Sequence, residues 1–149
     1  ATLCTEAIFA AHYSQDRSRM FFHSSSYTAN PIACAAAAAN LDIWRSEAVL
    51  SRIDAVSKAQ AACLAQIAND PRFENTRQIG TIAAFELRGA SAGYLADVAL
   101  SLRRKLLDRN VLLRPLGATI YIMPPYCATG DDLNGVYAAI SEVADEVRR

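Results

Sequence analysis

Hydrophobic and polar positions near the start of the chain predict a short helix followed by a polar loop. We expect the helix over about residues 5–13, with its first threonine as N-cap and with Ile8 and Phe9 on the buried side. Residues 14–19 are polar and predict an exposed loop, after which residues 20–22, Met-Phe-Phe, are expected to turn inward.

Two longer helices are predicted next. Asn30-Pro31 marks the start of the first, because Asn is a preferred cap and Pro fits the first helical position, and this helix should reach about Arg45. The second should run from about Ser46 to the stop signal Asn69-Asp70-Pro71. Its apolar stripe consists of Val49, Ile53, Val56, Cys63 and Ile67.

The pattern then changes to period two, which is typical of strands. We expect strands over 77–80 and 81–87, with Gly80 as a bulge candidate. A second pair, 111–114 and 119–123, predicts a hairpin with a Pro/Gly turn between its strands.

Two further helical stripes accompany these strands. The first ends at Asn110, and the second begins at Thr129 with acidic residues in its first turn. The inward positions are Leu95, Val98, Leu102 and Leu106 in the first, and Leu133, Val136, Tyr137, Ile140, Ala144 and Val147 in the second. From Val49 onward the order predicts an α+β fold, with helices on one face of a small, mainly antiparallel sheet.

Residues 1–48 do not complete such a layer. We expect residues 1–30 to be the end of a larger neighbouring domain, 31–48 to be a connecting helix and 49–149 to be a small domain. Because the chain begins within an element, we interpret it as a fragment. Its first 45 residues should then expose apolar surface.

Composition narrows the class of protein. The 149 residues are 52% hydrophobic and carry 15 basic and 15 acidic side chains, which argues against a nucleic-acid or membrane-surface partner. No apolar run is long enough to span a membrane. The four cysteines are far apart, which argues against a zinc site and is typical of buried, reduced thiols in a cytoplasmic protein.

The segment from His23 to Pro31 is the first candidate for chemistry. It places serine and threonine hydroxyls and backbone N–H groups just ahead of a predicted helix N-terminus, an arrangement that favours an anion such as a phosphate. The alternative is a polar loop that only caps its helix.

Arg114 and Tyr121 are the second candidate. An arginine at the end of an apolar strand, next to a proline, can hold a carboxylate through two parallel hydrogen bonds, or it can form a structural salt bridge. Tyr121 can contact a substrate or fill the core. The sequence spacing does not decide between carboxylate binding and a salt bridge for Arg114. It also does not decide between substrate contact and core packing for Tyr121.

These segments resemble class III pyridoxal-phosphate-dependent aminotransferases. Residues 23–31, His-Ser-Ser-Ser-Tyr-Thr-Ala-Asn-Pro, are similar to the segment that follows the catalytic lysine in that family. Residues 111–126, with Leu-Arg-Pro-Leu-Gly and Ile-Tyr-Ile-Met-Pro-Pro-Tyr, are similar to the C-terminal signature of its biotin-pathway members. Residues 77–87 also match the family's small-domain strands. The resemblance covers nearly the whole chain.

The resemblance implies a fold-type I transferase, a homodimer with a shared active site, and pyridoxal 5'-phosphate as cofactor. It assigns Ser25 and Ser26 to the cofactor phosphate, in a loop lent to the neighbouring subunit. Ser24 and Arg114 fall at substrate positions, with Arg114 on the carboxylate of 8-amino-7-oxononanoate and Tyr121 close by. S-adenosylmethionine is the implied amino donor.

The chain departs from the family pattern at three points. Ser25 and Ser26 stand where Pro-Thr or a similar pair is common, and Ser26 keeps the hydroxyl. Ser24 replaces the usual glycine, and its Cβ narrows the approach to the substrate. The cofactor-linking lysine belongs upstream of Ala1, and neither Lys58 nor Lys105 lies in its context. This chain alone should therefore be inactive.

Three alternatives remain open at this point. One is a class III transaminase that acts on another ω-amino acid or a diamine. Another is a non-catalytic α+β interaction module. The third is a proteolytic remnant assembled with the rest of the enzyme as a separate chain.

Overall fold

The computed structural model describes residues 3–22, 28–89 and 97–147. The chain divides into two units, residues 1–47 and residues 48–149. Each unit has its own secondary structure, and the two are described separately.

The first unit contains two helices whose starts were predicted from their caps. Helix α1 is Glu6–His12, and the Thr5 side chain accepts a hydrogen bond from the Ile8 N–H. A 3-10 turn, Arg17–Arg19, follows within the predicted polar loop. Helix α2 is Pro31–Ser46, capped by Asn30 as expected.

The prediction that apolar residues of the first unit face inward is wrong. Ile8 and Phe9 are 54% and 51% exposed, and Met20, Phe21 and Phe22 are also at least half exposed. No described residue of 1–47 is buried, because two helices and a 3-10 turn do not supply a second layer within this unit.

The second unit has the predicted α+β fold. Its elements, in chain order, are α3 Val49–Ala68, β1 Phe73–Ile79, β2 Ile82–Leu87, α4 Asp97–Leu107, β3 Thr119–Ile122 and α5 Gly130–Val147. The three strands form an antiparallel sheet in the order β1-β2-β3. Helix α3 packs on β1 and β2, and α5 packs against α3 and α4.

One face of the sheet and the facing sides of the helices form the core. Strand β2 buries alternate residues, and Phe85 makes an edge-to-face contact with Phe73 at 5.3 Å between ring centroids. The predicted helical stripes supply most of the other buried residues, which include Val56, Cys63, Ile67, Leu102, Leu106, Leu133, Tyr137, Ile140 and Ala144.

The first hairpin differs from its prediction. Strand β1 begins at Phe73 rather than at residue 77, and Gly80 lies in the turn between β1 and β2, with φ +53°, rather than in a bulge. The irregularity lies instead between Glu74 and Arg77, where Asn75 has φ +52°.

The predicted strand over 111–114 does not form. Helix α4 ends at Leu107, three residues before the expected end, and a turn continues to Asn110, which has φ +60° and donates its N–H to Leu107 O at 2.9 Å. Residues 111–115 form no strand, and only Leu116 bridges to Thr119 across the predicted Pro/Gly turn. Pro115 has no N–H to donate, so a continued ladder toward Arg114 would lack a hydrogen bond at this point.

Candidate functional site

The serine-rich candidate lies partly outside the described residues. Ser24, Ser25 and Ser26 all fall there, and the described part of the segment begins at Thr28. The adjoining end of α2 is described, and it shows which of its N–H groups are available to an anion.

The first-turn donors of α2 are used by its own cap. Asn30 Oδ1 accepts from the Ile32 N–H at 3.0 Å and from the Ala33 N–H at 3.2 Å, and Asn30 O accepts from the Cys34 N–H at 2.9 Å. Pro31 has no N–H. The expectation of unpaired donors at this helix end is therefore wrong for these positions, although the helix dipole still favours negative charge.

Arg114 lies in the loop between α4 and β3 and is exposed. Within the described residues it has neither a hydrogen-bond partner nor an ion-pair partner, so the structural salt bridge that the sequence left open has no acid in this part of the chain. Six other cations of the second unit form ion pairs, namely Lys58–Asp54, Arg72–Asp70, Arg77–Glu86, Arg88–Glu74, Lys105–Glu146 and Arg109–Glu142. An exposed guanidinium without a partner keeps all five N–H donors available to a carboxylate.

A tight turn holds the segment of Arg114 against β3. Leu116 and Thr119 exchange backbone hydrogen bonds of 2.9 and 3.0 Å, and Gly117 between them has φ +60°. Arg114 and Tyr121 thus lie two residues on either side of a bridged pair.

Tyr121 faces away from the helices. Its neighbours in β3, Ile120 and Ile122, are buried in the core, and side chains alternate between the faces of a strand. Tyr121 is half-buried and sits opposite Ala84 of β2. It therefore does not fill the core between sheet and helices, which was the simpler of its two interpretations.

The same outer face carries a charged cluster beside Tyr121. Glu86, opposite Thr119, accepts hydrogen bonds from Asn75 Nδ2 at 2.8 Å and from Arg77 Nη1 at 3.0 Å. The Asn75 hydrogen bond, followed by that of Arg77, holds the pKa of Glu86 below its ordinary value. The carboxylate is therefore charged at neutral pH, and Arg77 compensates its charge.

Neither lysine offers a free amine to a cofactor. Lys58 Nζ is 2.6 Å from Asp54, and Lys105 Nζ is 2.6 Å from Glu146. Both lie on the helix faces expected to be polar. The described residues thus fit the binding of anionic groups and do not fit covalent attachment of an aldehyde cofactor.

Gln60 is the residue that the sequence analysis missed. It is fully buried on α3, and its side-chain amide bonds to the end of β3, to the turn between β1 and β2 and to α5. The signal was present in the sequence, because Gln60 lies four residues after Val56 and three before Cys63, within the apolar stripe. A polar residue at such a position requires partners that only the tertiary structure identifies.

The cysteines also differ from expectation. Cys63 is buried, and burial raises the pKa of its thiol, which donates to Asn134 Oδ1 at 3.3 Å. Cys4, Cys34 and Cys127 are free and exposed rather than buried.

Residues 3–22, 28–89 and 97–147 contain no cluster of His, Cys, Asp and Glu suited to a metal ion. In these same ranges, no helix combines the length and apolar character needed to cross a bilayer.

Comparison with known proteins identifies the family. The model of the family "Aminotransferase class-III" matches residues 1–144. The chain belongs to the class III aminotransferases. This membership agrees with the resemblance of residues 23–31 and 111–126, and it gives no support to a non-catalytic interaction module.

Individual class III relatives match nearly the whole chain. It is 39% identical over 147 residues to the adenosylmethionine-8-amino-7-oxononanoate aminotransferase of Synechococcus elongatus, covering 98% of this chain and 34% of that protein. It is 34% identical to the protein of the same name from Helicobacter pylori, covering 95% of this chain and 32% of that protein. The chain therefore spans about a third of the length of these curated relatives.

A solved class III structure agrees in fold. The crystal structure of the adenosylmethionine-8-amino-7-oxononanoate aminotransferase from Methanocaldococcus jannaschii superposes with a TM-score of 0.70 at 26% identity. The match covers 84% of this chain and 31% of that protein. The α+β arrangement is thus that of part of a fold-type I transaminase.

Proposed function

We propose that this chain is the C-terminal part of a transaminase that converts 8-amino-7-oxononanoate to 7,8-diaminononanoate in biotin biosynthesis, with S-adenosylmethionine as the amino donor. The relatives from Synechococcus elongatus and Helicobacter pylori, at 39% and 34% identity over nearly the whole chain, support this substrate pair through their names. The observation that carries the proposal within the chain is the exposed Arg114, which has no partner in the described residues.

Arg114 binds the carboxylate of 8-amino-7-oxononanoate in this proposal. A planar guanidinium offers two parallel N–H donors to a carboxylate. Arg114 comes just before the turn at Gly117, and Tyr121 follows this turn on β3. Tyr121 presents its ring on the outer face of the sheet, where it can line the path of the substrate chain. Ser24, which belongs to the serine-rich segment of residues 23–31, also contacts the substrate in this proposal.

The cofactor of the complete enzyme is pyridoxal 5'-phosphate, which supplies an electron sink for the transfer of the amino group when it is bound. Ser25 and Ser26 hold its phosphate through their hydroxyls, since the first-turn N–H groups of α2 are taken by Asn30. The positive end of the α2 dipole adds to the attraction. The cofactor-linking lysine is supplied outside these 149 residues.

The domain limits proposed from the sequence fit this role. Residues 1–30 would end the large cofactor-binding domain, 31–48 would connect the domains, and 49–149 would form the small domain. We further propose a homodimer in which the serine loop serves the neighbouring active site, and a cytoplasmic location, which suits the exposed free thiols. Intact-mass analysis would reveal whether the missing part is a separate chain.

Arg114→Ala in the full-length enzyme tests the proposal. The KM for 8-amino-7-oxononanoate should rise about 30-fold, the order that corresponds to losing about 2 kcal/mol from a charge-assisted hydrogen-bonded pair. Arg114→Lys should give a smaller rise, because it keeps the charge and loses the two-pronged geometry.

Arg103→Ala is the matched control, since Arg103 is exposed on α4 and has no partner in the described ranges. Its KM should equal that of the unmodified enzyme. An unchanged KM for Arg114→Ala would refute the carboxylate role. A donor screen separates the alternative substrates, because amination with S-adenosylmethionine is expected here and a preference for an ω-amino acid or a diamine would favour the other transaminase.

A further inference from the structure

The point at which β3 leaves the sheet is attached to helix α3 by a single buried side chain. Gln60 is completely buried, and its Nε2 donates to Ile122 O at 3.3 Å and to Thr81 O at 3.0 Å. Its Oε1 accepts from the Tyr137 hydroxyl at 2.7 Å. This one amide therefore connects α3, the first hairpin turn, the end of β3 and α5.

The Ile122 carbonyl is a sensitive position. Met123 follows it, and then Pro124 and Pro125, which have no N–H to continue a ladder. Strand β3 is one of the two edge strands of the described sheet and is only four residues long. Its far end pairs with Ala83 of β2 and is held from the helix side by the Gln60 hydrogen bond, whereas its near end is joined to the preceding turn by the Leu116–Thr119 bridge.

The first hairpin turn, in contrast, has a second attachment to α3. Ser57 Oγ donates to Gly80 O at 2.9 Å, and Gln78 Nε2 donates to Ser57 O at 2.9 Å. Loss of Gln60 would leave this turn held by Ser57. The effect of a substitution at Gln60 should therefore concentrate at the end of β3.

We infer that Gln60 is a positioning residue for the substrate site, because it fixes the strand that carries Tyr121 and, through the turn at Leu116, the segment that carries Arg114. The inference rests on the proposed function of those two residues. Gln60 touches neither substrate nor cofactor. The three hydrogen bonds of the buried Gln60 amide hold the backbone at the end of β3 in one position. They thereby orient binding side chains that Gln60 itself does not contact.

The test is Gln60→Met in the full-length enzyme, because methionine keeps the length and volume and removes every hydrogen bond. The KM for 8-amino-7-oxononanoate should rise about fivefold while kcat changes by less than about twofold, since misplacement weakens binding more than it removes chemistry. A purely structural role would instead lower the active fraction, and thus the measured kcat, with KM unchanged.

Two control variants each remove a different hydrogen bond near Gln60. Ser57→Ala removes the other attachment of the turn, and Tyr137→Phe removes the bond to Gln60 Oε1, yet both keep the bond to Ile122 O. Both should lower the melting temperature and leave KM within about twofold of the unmodified value. A KM rise in these controls equal to that of Gln60→Met would overturn the inference.

Gln60→Glu serves if Gln60→Met does not fold, since it keeps the side-chain shape and supplies at most one donor. Its KM should also rise, and an unchanged KM would overturn the inference. Arg114→Ala, measured in parallel, distinguishes the two failures. If it raises KM and Gln60→Met does not, the positioning role alone is wrong; if Arg114→Ala changes nothing, the proposed function and the positioning role both fail.

Discussion

The two units of the chain have similar helical signals and very different burial. Helix α2 is 16 residues long and α5 is 18 residues long, and each begins at a capping side chain. The described part of 1–47 nevertheless buries no residue, whereas α5 buries six, from Leu133 to Ala144. Local capping is therefore enough to define a helix, but burial requires a second layer, which here is the sheet.

Matched phenylalanine substitutions should give the largest contrast between the units. Phe85→Ala should lower the free energy of unfolding by about 3–5 kcal/mol, because Phe85 is fully buried and its removal leaves a cavity. Phe22→Ala should change it by less than about 0.5 kcal/mol, because Phe22 is 73% exposed. Urea denaturation measures both, and equal effects would contradict the burial difference.

Substitution of the two caps should give a smaller effect that separates local from global stability. Thr129 and Asp132 exchange hydrogen bonds at the start of α5, so Thr129→Ala should lower the free energy of unfolding by about 1 kcal/mol. Asn30→Ala should instead speed amide hydrogen exchange at Ile32 and Ala33 and leave the global transition unchanged. A loss of global stability in Asn30→Ala would mean that α2 belongs to the same cooperative core.

The starts of helices could be predicted because their causes are local. Asn30 and Thr129 cap helices through residues two or three positions away, which the sequence displays directly. The burial of Ile8 and Phe9 could not be predicted, because it depends on whether another layer covers them. A helical stripe indicates only which side of a helix is apolar.

In the candidate site, too, the features with local causes could be predicted and those that depend on distant residues could not. The sequence singled out Arg114 and Tyr121 as candidates from the residues around them, and it also predicted the turn between them. It did not predict that the strand over 111–114 is missing, or that Gln60 holds β3 through a carbonyl 62 residues away. Both depend on hydrogen-bond partners that are distant in the chain.

Lowering the pH should have the smallest effect on the free energy of unfolding, and this effect should arise mainly in the second unit. Hydrogen bonds from the Thr129 backbone and hydroxyl hold the pKa of Asp132 below its ordinary 3.8. Lys105, followed by Arg109, lowers the pKa of Glu146 from its ordinary 4.5. Because these pKa values are depressed in the folded state, the stability they contribute is complete above the unfolded pKa and is lost as pH falls below about 4.

Asparagine substitutions measure this acid effect. Asp132→Asn should flatten the decrease in the free energy of unfolding between about pH 5 and about pH 3. Asp16→Asn is the control in the first unit, where the Ser18 backbone N–H lowers the pKa of Asp16 within an exposed turn. It should leave the global curve unchanged, and an equal flattening would show that the 3-10 turn contributes to global stability.

The role of Arg114 is tested most directly by removing the carboxylate and the guanidinium in turn. The full-length enzyme should prefer 8-amino-7-oxononanoate to its carboxamide by about 30-fold in kcat/KM, and Arg114→Ala should reduce that preference to less than about twofold. If Arg114→Ala keeps the full preference for the carboxylate, the guanidinium does not bind it, and the proposed substrate site is wrong.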